Sequence, residues 1–322
     1  ILQIGAGGTA GTLGTGDVVT TGGTLRFNRS DALTVSSDIS GTGAVSQFGA
    51  GTTTLTGANT YSGATTITAG ALQIGDGGTT GTLGTGNVAI SSGAALALNR
   101  SDAIAVSGVI SGTGGQIRQI GTGTTTLMAN NTYTGATTIS AGTLQIGGGG
   151  TTGTLGTGAT TNDGKLVFDR SNALTVSSAI SGTGTVSQAG TGTTSLTGAN
   201  SYSGTTTISA GILSVGAGST VGTLGDGSVT NNGTLQINRS NAITIANDIS
   251  GTGALTKLAA GTATLTGANS YSGTTTITTG ILEVGAGGAA GTLGTGGVVN
   301  NATLRFNRSD DIAVSNAISG TG

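Results

Sequence analysis

One tyrosine-bearing segment returns four times along the chain at nearly constant spacing. Gly57-Ala58-Asn59-Thr60-Tyr61-Ser62-Gly63 reappears as Ala129 to Gly135, Gly198 to Gly204 and Gly267 to Gly273, so that Tyr61, Tyr133, Tyr202 and Tyr271 lie 72, 69 and 69 residues apart. A second marker, Ile-Ser-Gly-Thr-Gly, starts at Ile39, Ile110, Ile180, Ile249 and Ile318. A third is Asn-Arg-Ser around Arg29, Arg100, Arg170, Arg239 and Arg308, with Asp169 replacing the asparagine in the third copy. Three markers in one register define a repeat of about seventy residues, and a repeat of that length stacks small units on one another. Residues 1-322 therefore read as one continuous solenoid with repeats at approximately 2-71, 72-143, 144-212, 213-281 and, in part, 282-322.

Within each copy the local period is two. In Thr65-Thr66-Ile67-Thr68 and Ala71-Leu72-Gln73-Ile74, one face carries Thr65, Ile67, Leu72 and Ile74, and the intervening Ala69-Gly70 reads as a corner. Three such strand pairs per repeat predict an all-β fold. The expected architecture is a three-sided parallel β-helix with about 23 residues per coil, three coils per repeat and about fourteen coils. Equivalent positions such as Leu25, Leu96, Leu166, Leu235 and Leu304, or Val35, Val106, Val176, Ile245 and Val314, are expected to stack as internal ladders. No segment holds apolar residues at helical spacing, and 66 glycines with no proline suit corners and central ladders rather than helices. The Asp-Gly and Asn-Gly pairs of hairpins do not recur in register, which speaks against a sandwich. Around Val45-Ser46-Gln47-Phe48 the apolar residues fall three apart, and a bulge or corner is expected there.

Composition narrows the function. A net charge of −2 offers no basic face for nucleic acid, and the absence of Cys and His removes disulfides, thiolate metal sites and the commonest general base. No apolar stretch reaches the length of a membrane-spanning helix. Gly5-Ala6-Gly7-Gly8-Thr9-Ala10 meets a dinucleotide pattern formally but lacks the following helix. A calcium solenoid would need a regular Asp, yet the places equivalent to Asp17 hold Asn87, Ser228 and Gly297. Eleven Asp and the single Glu283 lie mostly in repeat-equivalent corners, whereas a glycosidase needs two carboxylates brought together. No catalytic, cofactor or metal residues are expected.

The recurrent polar corners are the remaining candidates. Arg29, Arg100, Arg170, Arg239 and Arg308 would form a surface ladder of cations about 14 Å apart, suited to an anionic polysaccharide. The plainer reading is a corner where each arginine bonds neighbouring carbonyls and the local acid, such as Asp31 or Asp102. Tyr61, Tyr133, Tyr202 and Tyr271 would likewise form a surface stripe, with Asn59, Asn131, Asn200 and Asn269 shaping their turns. Asn-x-Ser/Thr sequons at Asn28, Asn99, Asn130, Asn232, Asn238, Asn301 and Asn307 could accept sugars.

The run Gly51 to Ile67, continuing through Gly70-Ala71-Leu72-Gln73-Ile74-Gly75, resembles the autotransporter-associated β-strand repeat of large Gram-negative surface proteins. It covers about thirty residues in each of four copies. The resemblance implies a right-handed parallel β-helix, secretion through the outer membrane, exposure on the cell surface and no catalytic residues. Signal peptide, C-terminal barrel and cap are missing, so the chain is expected to be an internal slice whose membrane anchor lies elsewhere. The expected function is a stalk or passenger shaft of an adhesin. The alternative is an extracellular fibre or biofilm-matrix protein assembling end to end or laterally. The partners in view are further copies of the chain, through solenoid ends or sides, and a host or matrix glycan.

Overall fold

The computed structural model describes residues 1–322 and contains 36 short strands and no helix. All strand pairs are parallel, which fits a chain without hairpin turns. The residues group into two compact units, Ile1–Leu166 and Val167–Gly322, and each is a parallel β-solenoid.

In the first unit, one side stacks Leu2–Ile4, Thr24–Phe27, Ala44–Gln47, Thr65–Ile67, Val88–Ile90 and Ile110–Ser111. A second side stacks Leu33–Val35, Thr52–Leu55, Ala71–Ile74, Ala95–Leu98, Gln116–Gln119, Thr137–Ile139 and Thr160–Asn162. The chain visits Ile110–Ser111, Gln116–Gln119 and Thr124–Leu127 on three different sheets before the Thr132 N–H donates to the Ile110 carbonyl and closes the turn. The solenoid is therefore three-sided, as expected. In the second unit Ile249–Ser250, Ala254–Lys257 and Thr262–Leu265 form the three sides, and the Ser270 N–H closes the turn on the Ile249 carbonyl.

Most turns are shorter than a third of a repeat, which corrects the expected coil length. Partners in successive turns are separated by as little as Thr53↔Leu72 and by as much as Leu72↔Leu96. Val45 lies on Thr65, Thr65 on Val88 and Val88 on Ile110, three turns in all. The repeat-equivalent of Val45 is Ile117, seven positions beyond Ile110 and already on the next side. In the second unit Val186, Thr206, Val229 and Ile249 stack, and Leu255, equivalent to Val186, again lies one side further. A repeat is three and a third turns, and each copy is rotated by one side relative to the last.

Ladders thus run through non-equivalent positions, contrary to expectation. Leu25 stacks between Leu2 and Val45, whereas Leu96 stacks between Leu72 and Ile117. Inward residues such as Leu25, Val45, Leu72, Val88 and Leu96 are fully buried. Each is worth about 1.5–3 kcal/mol relative to exposure. The irregular stretch at Val45 is an ordinary strand, Ala44–Gln47. Its inward end position holds Gln47, which is 1% exposed, while Phe48 turns outward; a buried amide, not a bulge, hides the period of two.

Candidate functional site

The recurrent polar residues lie inside the corners, not on a surface stripe. In the second unit the loop through Asn200 and Tyr202 makes a side of the solenoid without a formal strand. Asn200 Oδ1 accepts the buried Ile180 N–H at 2.9 Å, from the turn before, and its Nδ2 donates to the Thr223 carbonyl at 2.7 Å, in the turn after. Thr223 Oγ1 donates back to the Asn200 carbonyl at 3.0 Å. One amide therefore clips three successive turns where the backbone ladder lapses, and it satisfies groups that would be costly to bury unpaired. Asn59, Asn131 and Asn269 repeat the clip on Ile39, Ile110 and Ile249.

Tyr61, Tyr133, Tyr202 and Tyr271 are fully buried, which corrects the expected surface stripe. Each hydroxyl shares a hydrogen bond of 2.8–2.9 Å with the threonine four residues on: Thr65, Thr137, Thr206 or Thr275. Each ring is the largest block of apolar area in its corner, which a chain with 2% aromatic residues uses sparingly. A glycine of the following turn lies flat against the ring. A Cβ on Gly225 would come within 2.5 Å of Tyr202 Cδ2, so this place admits only glycine. Burial pushes the phenols above their ordinary pKa, against the smaller opposing effect of the hydrogen bonds.

The arginines are likewise spent on the fold. Arg29 donates through Nε and Nη2 to both carboxylate oxygens of Asp31 at 2.8 Å and through Nη1 to the Gly11 carbonyl at 2.5 Å. Arg100 pairs with Asp102 and bonds the Gly81 carbonyl; Arg308 pairs with Asp310 and bonds Gly291. Arg239, without an acid, uses Asn241 Oδ1 and the Gly222 carbonyl, and Arg170 uses Asn172 Oδ1. Arg29, Arg100, Arg239 and Arg308 each tie the glycine-rich loop of the preceding turn to the next corner. Arg100, Arg170 and Arg239 are buried. The paired aspartates are held below the usual carboxylate range by the arginine hydrogen bonds. Because each repeat advances by one side, successive arginines in a unit do not lie on one line. The expected cation ladder is corrected on both counts.

A further set escaped the sequence reading. Gln47, Gln119 and Gln188 end equivalent strands, are buried, and donate Nε2 to glycine carbonyls two and four residues on, Gly49 and Gly51 for Gln47 at 2.8 and 3.0 Å. Lys257 takes the fourth place, fully buried, with Nζ on the Ala259 and Thr279 carbonyls. Burial lowers its pKa. The signal was present: a polar side chain at one fixed place, where alternation called for an apolar one.

These staples coincide with what the comparisons find. The sequence model of the passenger-associated-transport-repeat family matches residues 45–74, 117–146, 186–215 and 255–284. Each match runs from the strand that ends in the buried Gln or Lys through the Asn-x-Tyr loop to the strand after its corner. The chain carries four passenger-associated-transport repeats. It is also similar to the adhesin BmaC autotransporter of Brucella suis biovar 1 (strain 1330), 46% identical over 70 residues, which is 16% of this chain and 2% of that protein. No solved structure matches. The four matched segments are passenger-associated-transport repeats, and the chain is similar to a small part of an autotransporter adhesin. Every family match holds one asparagine clip and one tyrosine–threonine pair. The arginine staples lie outside the matched segments, Arg100, Arg170 and Arg239 in the stretches of about forty residues between them and Arg29 and Arg308 on either flank.

Proposed function

We propose that these passenger repeats are a spacer, a length of adhesin stalk that carries other segments away from the outer membrane, and that they neither catalyse a reaction nor bind a ligand at the repeated corners. One observation carries this reading. The residues that return in every copy, the Asn, Tyr and Arg of the corners, have their polar groups engaged within the solenoid: Asn by the turns before and after, Tyr by the threonine four residues on, and Arg by the residue two on. What faces outward changes from copy to copy, as at the equivalent strand place after the buried leucine, held by Arg26, Ala97, Gln236 and Arg305. A repeated binding site would keep its outward residues and let its supports vary; here the reverse holds.

The test is removal of residues 186–254, one whole repeat, from the native adhesin gene. Cells are expected to display the shortened protein and adhere as before, with the reach reduced by about 16 Å, three and a third strand spacings. Lost adhesion with intact display would overturn the spacer reading. Filaments formed by the purified chain without any membrane anchor would favour the extracellular fibre instead.

A further inference from the structure

Each repeat opens a new sheet, and the first strand of that sheet has a neighbour on one edge only. In the first unit this strand is Ala103–Val106, paired with Thr124–Leu127; in the second it is Ile243–Ile245, paired with Thr262–Leu265. The Val106 and Ile245 carbonyls accept from Met128 and Thr266 of the next turn. Parallel ladders alternate, so the N–H and C=O of Ala103, Ala105 and Thr244 point the other way, toward the previous turn. There they meet no backbone partner. The loop below has committed its own groups elsewhere: the Thr82 and Thr85 N–H groups donate to Gly57 and Tyr61, and the Thr82 carbonyl accepts from Asn59.

The gap is an open groove of about 360 Å³ in the first unit, floored by Leu83 and bounded by Arg100, and of about 240 Å³ in the second, floored by Leu224. A third lies over Leu293 against Ala313. Side chains bridge its two ends: at the near end Arg100, Arg239 and Arg308 reach the Gly81, Gly222 and Gly291 carbonyls, and at the far end Asn247 Nδ2 reaches the Gly225 and Gly227 carbonyls at 2.8 and 2.6 Å, as Asn316 does on Gly294 and Gly296. The free edge between these limits is three or four residues long.

We propose that these grooves take an extended polypeptide strand, which pairs with the free edge and adds to the sheet. The lining selects for it. The unpaired groups are main-chain donors and acceptors alternating along a strand, which another strand's backbone complements. The bounding arginine is already paired with Asp102 and Gly81, so the groove offers no free charge to an anion. Its floor is a single leucine, which suits small or β-branched side chains such as the threonines that pair on the other edge. Grooves one repeat apart in the second unit, at Leu224 and Leu293, open on different sides, because the repeat advances by a side.

The probe is a fluorescein-labelled hexapeptide with the chain's own sequence Gly-Thr-Thr-Thr-Leu-Thr (residues 51–56), titrated into the full chain by anisotropy. Saturable binding is expected, with slowed amide exchange at Ala105 and Thr244 in the bound state. N-methylation of alternate peptide residues, which removes the edge-facing donors, is expected to weaken binding about tenfold or more. Ala105→Pro and Thr244→Pro should each remove a share of the sites, since proline is tolerated on an edge. The peptide arm uses the unaltered protein and does not depend on how these variants fold. Absence of saturable binding, unchanged exchange at Ala105 and Thr244, or equal affinity for the methylated peptide overturns the proposal. So does competition by a neutral hexasaccharide that leaves those amides exchanging, which would make the groove a glycan cleft.

Discussion

Asn200 shows how much one side chain carries where a backbone ladder lapses. Asn200→Ala leaves the buried Ile180 N–H without its acceptor and cuts the bond to Thr223. A loss of about 1–3 kcal/mol is expected in urea unfolding, whereas alanine at outward Ser195 should be near neutral. The tyrosines set the alkaline limit. Their folded pKa values are raised by burial, so the unfolded chain ionises first. This contribution is complete below the unfolded value of about 10 and is lost as pH rises through it toward the folded values. Lys257 has the opposite slope, because its folded pKa is lowered and stability grows as pH rises toward its unfolded value of about 10.4. Lys257→Gln, which restores the residue of the other copies, should stabilise at neutral pH and leave the tyrosine decline alone above about pH 10. A midpoint unchanged between neutrality and strong alkali in that variant would contradict the burial of the phenols. The corners were visible in the sequence as recurrences, but not their direction. Tyr and Arg ordinarily face water at turns, and what draws them inward here, the threonine four residues on and the loop carbonyls of the neighbouring turn, becomes clear only once the stacking is known.

At the level of strands, inside and outside follow the period of two. Leu72 is fully buried between Thr53 and Leu96, and Gln73 faces out between Thr54 and Ala97. Leu72→Asp should bury a charge in the ladder and unfold the neighbouring turns, while Gln73→Asp should shift the thermal midpoint little. Comparable losses at the two sites would sink the assignment. This alternation was readable in Ala71-Leu72-Gln73-Ile74 because nothing polar interrupts it. It was unreadable in Ala44-Val45-Ser46-Gln47, where the buried amide of Gln47 takes an apolar residue's place and caps the Gly49 and Gly51 carbonyls. The Asn-x-Tyr loops were read as turns and are sides of the solenoid, held by side-chain clips that no pattern of hydrophobicity records.

For the whole array, the repeat length was plain and the turn length was not. Dividing the repeat evenly among three coils made each coil too long. The chain instead completes three turns and one further side, so turns are shorter and equivalent residues move to the next side. Removing a whole repeat should therefore be milder than removing one turn. Loss of 186–254 brings equivalent residues together, with Leu255 in the place of Val186. Loss of 206–228 puts Val229 in the place of Thr206 and leaves the Tyr202 hydroxyl without its partner. The second deletion should lower the thermal midpoint more although it is a third of the length. The rotation itself is open to direct measurement by spin-label distances in the first unit, in a chain that has no native cysteine. Thr54, Gln73, Ala97 and Arg118 stack on one side over three turns, and Thr126 is the repeat-equivalent of Thr54 on the next side. Labels at Thr54 and Arg118 should report a backbone separation of about 14 Å, three strand spacings, and labels at Thr54 and Thr126 a longer one. A Thr54–Thr126 distance equal to or below the Thr54–Arg118 distance would mean that repeats stack in line, and would contradict the account.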